Sequence, residues 1–177
     1  MMEVVMIRHT RVGVDKGTCY GWSDVPVAET FEQEAAVTKG NLDTFGEFDA
    51  VFSSPLTRAL RLAVYCGYPE AIKDERLKEM NMGDWEMLKF DEIKDRRLQQ
   101  WYDNYMTLPT TNGESFPMLY DRVSSFLDEL RGKPFHRVAI FAHGGVLMCG
   151  GIYTGMFTKE DCFNHLAAYG GIQAMSL

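Results

Sequence analysis

Three apolar runs that fail to alternate constrain this chain most. They are Val4–Ile7, the stretch DAVFSS at 49–54 and the stretch RVAIFAH at 137–143. A strand with one wet face places polar residues at every second position, and these runs do not, so both faces of each are covered, as in a parallel sheet. Helical patterns separate them. Phe31, Ala35, Leu42 and Phe45 recur at helical spacing within 28–45. The stretch 53–67 offers Ser54 as a cap, Pro55 at a first helical position and Gly67 as a stop. Residues 91–105 and 118–132 read as two further amphipathic helices, with Ser115 capping a helix that begins near Phe116. A last short strand is expected at Ile172–Ser176. Alternating strands and helices over 177 residues, 46% of them hydrophobic, predict a single α/β domain spanning 1–177.

In sheets of this kind ligands collect beyond the carboxyl ends of the strands. Arg8 and His9 follow the first run directly, Arg58 lies just after the second, and His143 closes the third ahead of Gly144 and Gly145. Singly, each is most simply a solvated strand end or a helix-face charge; their coincidence at three strand ends makes them a site. Guanidinium forks match phosphate oxygens, and the Gly–Gly amides opening a helix form an anion site. A neutral imidazole can attack phosphorus and divide one displacement into two. The leaving oxygen then needs a proton, for which Glu79, Asp84 and Glu86 are all candidates. The histidines lack metal-ligand spacing and are flanked by cations, so neither a metal nor another cofactor is expected.

Four blocks, IRHT, SSPLTRA, LKEMNMGDWE and FAHGG, occur in this order between about residues 4 and 150. Together they resemble the histidine phosphatase (phosphoglycerate mutase-like) superfamily. The resemblance implies a three-layer α/β/α sandwich with a mostly parallel sheet and a metal-independent phosphatase working through a phosphohistidine. It implies His9 as nucleophile, Arg8, Arg58 and His143 as phosphoryl ligands, and Glu79 as proton donor in preference to Asp84 and Glu86. Thr10 stands where glycine is usual, Arg11 where an acid is common, and Met87 where glycine often follows the Trp–Glu pair; Thr10 and Gly144 are taken as further substrate contacts. The stretches CYGWSDVP and NGES are similar to α-ribazole phosphatases, which implies α-ribazole 5′-phosphate as substrate and a place in cobalamin nucleotide-loop assembly. A sugar-phosphate or phosphoglycerate phosphatase or mutase, and a silent module that only binds phosphorylated ligands, are the rival readings.

A net charge of −7 argues against nucleic acid or anionic membranes as partners, leaving a small phosphate ester. The N-terminal residues lack the apolar core of a signal peptide, and scattered Cys19, Cys66, Cys149 and Cys162 read as reduced thiols, so a cytoplasmic protein is expected. Trp85, Phe90, Trp101, Tyr102 and Tyr105 could cap a pocket and stack a flat base, but helix packing is the preferred reading for Trp101, Tyr102 and Tyr105. Glu114 is placed near the pocket mouth, Asp24 and Pro26 are read as fixing a loop, and His136 and His165 as surface or structural residues.

Overall fold

A computed structural model describes all of residues 1–177. Strand β1 (Glu3–Arg8) leads through α1 (Phe31–Asp43) to β2 (Ala50–Ser53), α2 (Thr57–Tyr65) and the two-residue β3 (Ile72–Lys73). A long irregular stretch carrying α3 (Arg97–Asn104) follows, then α4 (Phe116–Arg131), β4 (Arg137–Ala142), α5 (Gly144–Tyr153) and β5 (Ile172–Ser176). The sheet order is β3-β2-β4-β1-β5, with every pairing parallel except the antiparallel edge β5.

The missing alternation now has its cause. Val4 and Met6 of β1, with Val138, Ile140 and Ala142 of β4, face a core built by α4 and α5. Val5, Ile7, Ala139 and Phe141, the residues between them, face a second core built by α1 and α2. Two apolar faces make the three-layer α/β/α sandwich. Burying one such aliphatic or aromatic side chain contributes about 1.5–3 kcal/mol, so both faces are needed to hold the central strands. No helix is long and apolar enough to cross a membrane.

Two helices start later than their sequence pattern suggests. Helix α2 begins at Thr57, not at Pro55, because the Ser54 hydroxyl accepts from the Leu56 amide and remains in the buried floor. The cap comes from elsewhere: Asp24 accepts from both the amide (2.8 Å) and the hydroxyl (2.6 Å) of Thr57, which is how it fixes its loop. Helix α3 begins only at Arg97, since Phe90–Glu92 form an isolated turn and Asp95 accepts from the Arg97 amide. Ser115 caps α4 as expected, accepting from the Met118 amide at 3.3 Å.

Candidate active site

Register brings the floor together. β1 and β4 are adjacent with Arg8 opposite Ala142, so His9 and His143 leave the sheet side by side, and the His9 amide donates to the Ala142 carbonyl. β2 lies on the other side of β4, and the Ser54 amide donates to the Phe141 carbonyl. The two imidazole rings are 5.2 Å apart, edge to face. Arg58 is carried in from the first turn of α2, and Arg58 and His143 are wholly buried.

Hydrogen bonds fix the protons on both rings. His9 Nδ1 lies 2.7 Å from the Thr10 carbonyl oxygen, which can only accept, so the proton sits on Nδ1 and Nε2 keeps its lone pair. His143 Nε2 lies 2.7 Å from Ser54 Oγ. The Ser54 hydroxyl has no other acceptor within reach, so its proton goes to Nε2 and leaves His143 Nδ1–H a donor. Burial, and then the Arg58 guanidinium, push the His9 pKa down to about 3. Arg8 adds to the shift and the Thr10 carbonyl opposes it. Burial and Arg58 likewise hold His143 well below its usual value. Both rings are therefore neutral near pH 7, which suits His9 to nucleophilic attack.

The cations are oriented with donors to spare. Arg58 donates to the carbonyls of Ser23 (2.9 Å) and Gly21 (2.6 Å), and Arg8 to the carbonyl of Ala167 (2.6 Å). Arg8 Nε, Arg58 Nε and His143 Nδ1 are buried without partners. Three orphaned donors around one imidazole are costly unless an oxyanion satisfies them. The Arg8 guanidinium lies 4.0 Å over the Tyr169 ring and Arg58 5.2 Å over Tyr20, and the two phenolic oxygens are 3.3 Å apart.

Glu79 enters from the opposite wall. Its carboxylate accepts from the Met80 amide (2.9 Å) and from the Gly145 amide (3.0 Å) in the first turn of α5. The sequence pattern assigns the Gly–Gly amides to a phosphate; here one of them already holds Glu79. A Cβ on Gly145 would overlap that carboxylate, and a Cβ on Gly144 would lie 2.9 Å from Leu166 and 3.2 Å from the Arg8 guanidinium. Both glycines are there for close approach. Thr10 is buried behind His9 with an unpartnered hydroxyl, and outside the cavity wall it acts on the site through its carbonyl. Arg11 is exposed and pairs with Glu34 at 3.2 Å, away from the cavity.

The rival acids lie elsewhere. Asp84 is exposed and takes the Asn112 amide at 2.8 Å. Glu86 accepts from the amides of Gly21, Trp22, Ser23 and Met82 and from the Ser23 hydroxyl. Burial opposes its charge, but these bonds, led by Ser23, outweigh it and hold the carboxyl below its usual pKa. Glu86 thus ties down the loop whose carbonyls orient Arg58.

A cavity of about 400 Å³ opens over this floor. Arg8 and His9 line its base, with Arg58 and His143 wholly buried and outside the lining; Glu79, Met80, Met82, Trp101, Tyr105, Phe116, Leu119, Met148, Phe163 and Leu166 form the wall. Trp101 and Tyr105 therefore face the cavity rather than serving as helix packing alone, although Trp101 also packs edge to face on Trp85 at 5.5 Å. Tyr102 is exposed and outside the lining. Glu114 does not line the cavity: it forms a part-buried ion pair with Arg122 at 2.8 Å. Tyr20, Tyr169, Ser54 and Arg122 are the contributors that sequence reasoning missed. His136 pairs loosely with Asp49 and His165 with Asp161, both at the surface. The four cysteines are free and buried.

The histidine phosphatase superfamily (branch 1) model matches residues 4–158, and the chain belongs to that family of phosphatases and mutases. It is 30% identical over 174 residues to a 2,3-bisphosphoglycerate-dependent phosphoglycerate mutase of Cytophaga hutchinsonii, covering 91% of this chain and 81% of that relative. It is 24% identical over 147 residues to phosphoserine phosphatase 1 of Hydrogenobacter thermophilus, covering 79% and 69% respectively. Among solved structures, a candidate alpha-ribazole-5′-P phosphatase from Escherichia coli superposes with a TM-score of 0.87. The match covers 98% of this chain and 89% of that one at 23% identity, a likeness of fold alone. A phosphoglycerate mutase from Thermus thermophilus gives a TM-score of 0.76 at 26% identity, with 98% and 92% covered.

Proposed function

We propose that the protein is a metal-independent phosphatase that transfers the phosphoryl group of a small monoester to His9 and then to water. The observation that carries this reading is the neutral His9 ring, with its free Nε2, among three buried, unpartnered donors. His9 Nε2 attacks phosphorus in line while Arg8, Arg58 and His143 neutralise charge on the equatorial oxygens. Glu79 protonates the departing alkoxide. Water then attacks the phosphohistidine, Glu79 takes its proton, and phosphate and neutral His9 are released.

The wall of the cavity selects the ester. A mutase holding a bisphosphate needs cations for a second phosphate, and phosphoglycerate or phosphoserine needs one for the carboxylate. The phosphoryl group uses Arg8 and Arg58 of the floor, and the wall adds no lysine or arginine to them. A flat, weakly polar leaving group matches Trp101, Tyr105 and Phe163 far better. α-Ribazole 5′-phosphate, with its benzimidazole base, is the substrate we infer. The test is phosphate release from α-ribazole 5′-phosphate, 3-phosphoglycerate and phosphoserine. The reading expects kcat/KM for the first to exceed the others by about tenfold or more, the worth of one well-stacked aromatic surface. Equal values, or a preference for the carboxylates, would overturn it.

A further inference from the structure

We propose that Arg122, braced by Glu114, is the positioning residue that aims Glu79 at the leaving oxygen. This rests on the reading of Glu79 as proton donor.

Glu79 sits in a stretch between two short turns, residues 78–82, with no ladder of its own. Something else has to hold that backbone, and Arg122 of α4 does so with its whole guanidinium. Its Nη1 donates to the carbonyls of Arg76 (2.8 Å) and Lys78 (2.6 Å), and its Nη2 to the carbonyl of Glu79 itself (2.8 Å). The remaining two donors, on Nε and Nη2, go to the Glu114 carboxylate at 2.8 and 2.9 Å. All five N–H groups of the fork are satisfied.

Glu114 closes the loop from the other side. It accepts from the Asn81 amide at 2.8 Å, and its own amide donates to the Asn81 carbonyl at 2.8 Å. The chain is therefore gripped at 76, 78 and 79 by Arg122 and at 81 by Glu114, with the acid inside the grip. All five N–H groups of Arg122 and both carboxylate oxygens of Glu114 are committed to each other and to this backbone, so neither is left to bind the substrate. A displacement of about 1 Å at a reacting group can cost about 10²-fold in rate. A clamp on the backbone of the acid is therefore expected to register in catalysis beyond its effect on stability.

The readout is leaving-group dependence. Nitrophenolate departs without a proton, whereas a sugar alkoxide cannot. Turnover of p-nitrophenyl phosphate and of ribose 5-phosphate is compared for the native protein, Glu79→Gln, Arg122→Lys and Glu114→Gln. Arg122→Lys keeps the charge beside Glu114 but cannot reach three carbonyls. Glu114→Gln keeps the shape and serves if the lysine variant fails to fold. We expect Glu79→Gln to lower kcat/KM, which reports the steps through departure of the leaving group and not the shared hydrolysis of phosphohistidine, about 10²-fold or more for ribose 5-phosphate and about threefold at most for p-nitrophenyl phosphate. The clamp variants should show the same selectivity, with losses of about 10- to 100-fold for the sugar ester. Equal loss on both esters, or no loss, in the clamp variants while Glu79→Gln remains selective would overturn the positioning role alone. An unselective Glu79→Gln would remove the proton-donor reading and this proposal with it.

Discussion

The floor and the wall of the cavity are held by different physics. On the floor, Arg8, His9 and His143 leave adjacent parallel strands, and the sheet's own hydrogen bonds set their separation. In the wall, residues 78–82 and the loop around Tyr20–Ser23 have almost no regular structure. They are held by side chains that bond to backbone: Arg122 to three carbonyls, Glu86 to four amides. The floor can lose a side chain without moving; the wall cannot. Substitution on the floor should therefore abolish chemistry and spare the fold, while substitution in the wall should affect both.

The largest effect expected is on the floor. His9→Ala should lower kcat by about a thousandfold or more, with a melting temperature near that of the native protein. A large loss of stability in this variant would break the contrast. Next comes Gly145→Ala, where the added methyl meets the Glu79 carboxylate; kcat/KM should fall about 10- to 100-fold, more for alkyl than for nitrophenyl esters. Equal activity would mean the carboxylate is not held there.

A pH measurement sharpens the same comparison. The pKa of His9 is about 3 in the folded chain against a usual 6.5, so the unfolded state binds the extra proton between those values. The sign follows: His9 stabilises the fold fully above pH 6.5. That contribution is lost as pH falls toward 3, at up to about 1.4 kcal/mol per pH unit. Nitrogen NMR of the free protein at pH 5.5 should find the ring still neutral and protonated on Nδ1. A ring titrating near 6.5 would contradict the floor's electrostatics.

In the wall the effects are smaller. Glu86→Gln keeps the shape of the strap but removes its charge, and should cost about 1–3 kcal/mol of stability with a modest rise in KM. Met87 occupies the left-handed region with φ of 65°, where the family resemblance expects glycine. Met87→Gly removes that strain and should change stability by about 0.5–1 kcal/mol in the favourable direction, read from a denaturation midpoint.

The same division governs how much of the molecule is legible in the sequence. Three apolar strands, of which β1 and β4 are buried and β2 half-buried, and the polar residues soon after them are local features, so Arg8, His9, Arg58 and His143 are visible as a set. The antiparallel edge β5 is visible as a strand, whereas two-residue β3 carries too little pattern to see. Arg122 is hidden because its partners are carbonyls, which every residue possesses, and its acid lies eight positions back across a helix cap. Trp101 and Tyr105 share a helix face, and that spacing is the same whether the face meets a core or a cavity. Tyr169 lies over Arg8 only because β5 folds back beside β1, a long-range pairing with no local signature.

The central claim is that the floor turns one imidazole into a phosphoryl acceptor. Rapid quenching of the native protein with labelled substrate tests it directly. The account predicts acid-labile, base-stable label on His9 that forms and decays within turnover and is absent from His9→Ala. Turnover without any label, or label on another residue, would contradict it.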